Sequence, residues 1–157
     1  MPIEDLAGIL APEARLLGLD VGTKTIGLAL SDVTRSIATP YETIRRTKFT
    51  SDAKILGDIV DKMEVGGLII GLPINLDGSE GPRAQSTRAF ARNLGKHIDL
   101  PMAFWDERLS TTAVERHLIE ADASRKRRAE VVDRMAAAYI LQGALDRLKR
   151  AGEQRHT

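Results

Sequence analysis

Residues 16–32, LLGLDVGTKTIGLALSD, constrain the fold of this chain more than any other stretch. Two apolar runs, 16–19 and 26–30, are parted by a polar step at Gly22, Thr23 and Lys24. Runs of that length around a glycine-bearing turn read as adjacent antiparallel strands. The pairing leaves Asp20 in the first strand or at its end, among residues that need burial. A buried carboxylate is costly unless it is paired or coordinates a cation. Asp20 is therefore either a turn former, a common use of aspartate beside glycine, or part of a chemical site. Lys24, likewise, is either an exposed turn lysine or a phosphate contact.

The order of elements behind this pair sets the fold class. Residues 36–44 read as a third strand, with Pro40 marking an edge or a bend. Ser51 or Asp52 can cap a helix to about residue 63, with Ile55, Ile59, Val60 and Met63 at helical spacing and Gly66 and Gly67 to stop it. Residues 68–72, LIIGL, are apolar throughout, as in a central strand covered on both faces. The loop PINLDGSEGP follows, and Pro82 opens a helix to about residue 97, with Ala84, Thr87, Ala91 and Leu94 on one face. A strand over 101–109, a helix over 110–121 and a last helix complete the chain. That last helix has Val131, Met135, Ala138, Leu141, Leu145 and Leu148 along one side. The order β-β-β-α-β-α-β-α-α predicts an α/β domain with one five-stranded mixed sheet and helices on both faces. Strands 1–3 form an antiparallel meander, and strands 4 and 5 join it in parallel through crossovers. The expected division is a loose arm over 1–14, a domain over 15–151 and a tail over 152–157.

Composition narrows the chemistry. At 157 residues the chain is large enough for one real core. It has no cysteine, which excludes disulfides, thiolate metal sites and cysteine nucleophiles and suits a cytoplasmic location. No apolar run approaches the roughly 20 residues of a membrane helix, and the first fourteen residues lack the basic start of a secretory signal. A net charge of +1 gives no global attraction to nucleic acid, so a basic surface must come from clusters. Arg125, Lys126, Arg127 and Arg128 are one such run.

Three acidic positions adjoin segments that must be buried: Asp20, the pair Asp106 and Glu107 at the far end of the last strand, and Asp133 on the last helix. Ala136 and Ala137 share the helical face of Asp133 and are small enough to let the helix approach the sheet. Three carboxylates without histidine or cysteine suit a hard cation, Mg²⁺ or Mn²⁺. Two such ions about 4 Å apart serve phosphodiester cleavage. If Asp106 and Glu107 both lie in a regular strand they point to opposite faces, so only one reaches the site directly; Glu107 is the expected ligand. His97, His117 and His156 show no ligand spacing.

The segments GLDVGTKTIGLALSD, IIGLPINLDGSEGP, FWDERLSTTAVE and VVDRMAAAYILQ, in this order, resemble the YqgF family, also called RuvX, of RNase H-like nucleases. The resemblance spans about residues 16–148. It implies an RNase H-like fold and a metal-dependent nuclease acting in 5′-end maturation of pre-16S rRNA or on Holliday junctions. By position, Asp20 matches the family's first-strand acid, Glu107 with Asp106 the acid of its DER motif, and Asp133 its last-helix acid. Arg108 and the turn at Gly71, Leu72 and Pro73 are signature positions. Many relatives carry a lysine close to the last acid. Here residues 129–132 have none, and the basic residues are displaced to 125–128.

The expected mechanism has Asp20 shared by two ions, with Glu107 and Asp133 each completing one site. Lys24, Arg83, Arg108 and the 125–128 cluster are the expected nucleic-acid-binding residues. Expected partners are pre-16S rRNA or branched DNA and the small-subunit precursor, with no membrane, for a monomer or homodimer. Two other classes compete: a phosphotransferase of the actin or sugar-kinase type, and a non-catalytic nucleic-acid or ribosome-assembly module.

Overall fold

The computed structural model describes residues 1–109 and 125–155, with the side chains of the last helix described over 132–152. The elements run α1 (Ile3–Leu6), β1 (Arg15–Val21), β2 (Thr25–Ser31), β3 (Ala38–Arg45), α2 (Phe49–Lys62), β4 (Val65–Leu72), α3 (Pro82–Leu94) and β5 (Met102–Asp106). A single 3-10 turn, Glu107–Leu109, and α4 (Arg125–Arg155) follow. The helix expected over 110–121 lies outside the described residues.

The five strands form one sheet in the order β3-β2-β1-β4-β5, so the strand carrying Asp20 is central. β1 pairs antiparallel with β2, and β2 with β3; β4 lies parallel to both β1 and β5. This is the mixed sheet expected from the element order. The edge strand β3 slips register between Leu28 and Ala29, where Pro40 pairs, as a proline at a bulge should.

Alternation along β1 divides the core. Leu17, Leu19 and Val21 pack towards α2 and α3 with Leu56, Val60, Phe90 and Leu94. Leu16 joins Ala29, Ile69, Trp105, Ala137, Ile140 and Leu141 in a second cluster under α4. Period two then places Gly18 and Asp20 on that second face.

Several details depart from the sequence expectation. Residues 1–14 carry α1, whose Ile3 and Leu6 are buried in the second cluster, whereas charge pattern alone suggests a loose arm. Ile55 is exposed, and the inward face of α2 is Ala53, Leu56, Ile59 and Val60. Gly66 and Gly67 do not stop α2; they lie in β4. The stop is Glu64, at φ +53°, just past the Met63 cap. A Cβ on Gly66 would lie 2.6 Å from the Ala14 Cβ, so that glycine serves packing. The last strand ends at Asp106, and Glu107 begins the 3-10 turn. On α4 the buried stripe runs through Val132, Ala136, Ala137, Ile140, Leu141, Ala144 and Leu145, one step round from the larger residues alone.

Candidate active site

α4 crosses its face of the sheet obliquely, and small residues mark each crossing. A Cβ on Gly27 would meet the Asp133 carbonyl oxygen at 2.0 Å, so helix backbone rests directly on β2. On β1, a Cβ on Gly18 would lie 2.8 Å from the Leu141 Cβ. On β4, a Cβ on Gly71 would lie 2.4 Å from the Ile140 Cδ1 and 2.9 Å from the Glu107 Oε1. On β5, Gly143 faces the Trp105 ring.

Gly27 is the register partner of Asp20, and Gly71 stands next in register on the other side. The row across the sheet is therefore Gly27, Asp20, Gly71, at neighbouring strands about 4.8 Å apart. Asp133 is carried over the first member and the Glu107 carboxylate over the third. Asp20, buried at 6% exposure, lies between them. The Thr25 hydroxyl, on the same face of β2, donates to the Asp133 Oδ2 and fixes its direction.

This donor set is all carboxylate oxygen, the chemistry a hard divalent cation needs. Asp20 is central and the other two acids stand one strand to either side, so the residue types fit such a cation. Among the described residues no three such groups already converge on one point.

Asp106 is turned to different work. It accepts from the Arg108 backbone N–H at 2.9 Å and from Arg108 Nη2 at 2.7 Å. The Arg108 guanidinium holds the Asp106 carboxyl below its ordinary 3.8, and Asp106 raises Arg108 in return.

Beside Glu107 a cleft of about 430 Å³ is lined by Pro73, Ile74, Asn75, Leu76, Pro82, Arg83 and Arg108 among others. A smaller cleft of about 220 Å³ lies between the β1–β2 turn and α3, with Thr23, Arg46, Arg83 and Ser86 on its walls. Arg83, in the first turn of α3, borders both. Lys24 is exposed in the β1–β2 turn and lines neither cleft. Arg125, Lys126, Arg127 and Arg128 form the start of α4, and their side chains lie outside the described part.

Sequence reasoning missed Thr25 and Arg46. Thr25 lies with Gly27 and Ala29 on the face of β2 that continues the Asp20 face of β1, but a threonine at such a position carries no sequence signal of its own. Arg46 donates to the Gly22 carbonyl at 2.6 Å and lies over the Phe90 ring, contacts between distant segments that leave no local pattern.

A family model described as "RuvX: Holliday junction resolvase" matches residues 14–147. The chain belongs to the RuvX family. Similar chains include one from Paramagnetospirillum magneticum, 66% identical over 149 residues, covering 93% of this chain and 96% of its own length. One from Roseobacter denitrificans is 66% identical over 154 residues, with 95% and 94% covered. Both carry the name "Putative pre-16S rRNA nuclease". Among solved structures, Thermus thermophilus RuvC in complex with a Holliday junction substrate aligns with TM-score 0.53 at 11% identity, over 84% of this chain and 93% of that one. The yeast mitochondrial Holliday junction resolvase Ydc2 aligns with TM-score 0.53 at 12% identity, over 98% and 87%. At such identities the likeness is one of fold, and it makes this RuvX member RNase H-like. No described helix is long and apolar enough to cross a membrane.

Proposed function

We propose that this RuvX member is a divalent-metal-dependent endonuclease that cleaves phosphodiester bonds in 5′-end maturation of pre-16S rRNA. The observation that carries this reading is the buried Asp20 between two glycines that admit Glu107 on one side and Asp133 on the other. The names of the relatives at 66% identity favour pre-16S rRNA as substrate. The family description favours a second reading, a resolvase acting on four-way DNA.

Asp20, Glu107 and Asp133 are the groups that would hold Mg²⁺ or Mn²⁺. When bound, such an ion supplies Lewis-acid polarisation of the phosphodiester and lowers the pKa of water. The protein contributes placement. Thr25 keeps the Asp133 carboxylate in one orientation, and the close seat of α4 on β2 fixes its height. Arg83 and Arg108 border the cleft beside Glu107, where they can hold backbone phosphates without reading sequence. With six aromatic residues in the chain, extensive base stacking is a small contributor, and specificity rests on substrate shape.

The test is cleavage by wild type and Asp20→Asn, with Mn²⁺ or Mg²⁺ against EDTA, on a pre-16S 5′-leader RNA and a four-way DNA junction in parallel. Metal-dependent cutting of the RNA, absent in the variant, is expected. Paired cutting of the junction alone would transfer the assignment to resolvase. Binding without any cutting would point to an assembly module.

A further inference from the structure

The cleft beside Glu107 is shaped for more than a phosphate. Pro73, Ile74, Leu76 and Pro82 give it apolar walls, Asn75 adds an amide, and Arg83 and Arg108 add charge. Its volume of about 430 Å³ lies within the range of small-ligand pockets, roughly 300–1,000 Å³. Leu76 is 95% exposed, an unusual position for a large apolar side chain.

The loop that bears Leu76 is braced by its own bonds. The Asn75 N–H donates to the Ser79 carbonyl at 2.9 Å, and the Gly78 N–H to the Asn75 carbonyl at 2.8 Å. Ser79 donates to Asp77 Oδ1 through both its N–H, at 2.9 Å, and its hydroxyl, at 2.6 Å. Gly78 takes φ +89°, which an L side chain rarely adopts, and Arg108 Nη1 would lie 3.7 Å from a Cβ there. The loop thus presents a leucine to solvent from a preformed turn, at a cleft that Arg83, Arg108 and Glu107 also line.

We propose that this cleft receives an unpaired nucleobase adjacent to the scissile phosphate, with Arg83 and Arg108 on the phosphates that flank it. The inference rests on the nuclease reading and names the substrate class: a strand that is single, bulged or frayed at the cut. A nucleobase has apolar faces and a hydrogen-bonding edge, which match the apolar walls and Asn75. Its flanking phosphates match the arginines. A base inside a duplex must first be unpaired and unstacked, a cost that is least where the strand is already open.

The experiment uses full-length Asp20→Asn, to prevent cutting, and one oligonucleotide carrying 2-aminopurine, offered single-stranded or annealed to its complement. Fluorescence titration is expected to show roughly tenfold tighter binding of the single strand, with a change in 2-aminopurine emission. Adding Leu76→Glu should abolish the emission change and the preference, and Leu76→Met should keep both; at 95% exposure neither endangers folding. Equal affinity for both forms, or an emission change untouched by Leu76→Glu, overturns the base pocket and leaves the nuclease reading standing. No binding to either form, together with no cutting of any substrate by wild type, overturns both.

Discussion

At Thr25 a single hydroxyl links the first hairpin to the last helix, 108 residues later in sequence. A hydrogen bond to a charged acceptor contributes about 1.5–3 kcal/mol. Thr25→Val keeps the shape and deletes the donor, so it should slow cleavage roughly ten- to hundredfold. Thr25→Ser should restore the rate to within a few fold. Cleavage kinetics beside thermal melts check this, because a purely structural role would move the melts and spare the Ser/Val contrast. The acids themselves could be read from sequence, since each abuts an apolar segment and carboxylates are rare in such places. Thr25 could not be singled out, because a threonine on a strand is ordinary. Its importance depends on which helical residue arrives above it. The Asp106–Arg108 pairing needed only adjacency, but its geometry depends on the 3-10 turn.

Among the elements, α4 and its glycine seats set the dimensions of the site. A Cβ on Gly27 would meet helix backbone, which has no rotamer by which to move away. Gly27→Ala should therefore destabilise the protein by about 1–3 kcal/mol and lift Asp133 off the row. Urea denaturation together with nuclease assay checks this, and activity should fall further than the stability loss explains. The helix itself was visible in the sequence from its apolar stripe. Its exact face was not, because alanines and glycines are seats only in relation to what they seat against. The stop of α2 was misplaced for a related reason. Paired glycines are the usual terminator, yet here they lie in β4, and Glu64 takes the left-handed turn.

Over the whole molecule, the order β3-β2-β1-β4-β5 follows from the spacing of strands and helices, and that much was readable. The attachment of α1 was not, since four helical residues carry too little periodicity to reveal a buried face. Leu6 is fully buried between α4 and β5, so Leu6→Ala should cost about 2–5 kcal/mol. Leu76→Ala, at the opposite extreme of exposure, should change stability by less than about 0.5 kcal/mol. Paired urea titrations of the two variants check the contrast. The exposed ion pair between Glu4 and Arg147 adds little to that attachment, because both partners remain in solvent.

The seating of α4 on bare glycine also bears on how this sequence can drift. Every glycine codon is one base from an alanine codon, so alanine is among the commonest substitutions a lineage will sample. At Gly57, where an added methyl meets nothing within 4 Å and helix propensity favours it, that step is open. At Gly27 it is closed, because the methyl would occupy the space of a carbonyl oxygen. Two glycines of one chain therefore face opposite constraints: the same methyl is free at Gly57 and excluded at Gly27 by the backbone that carries Asp133.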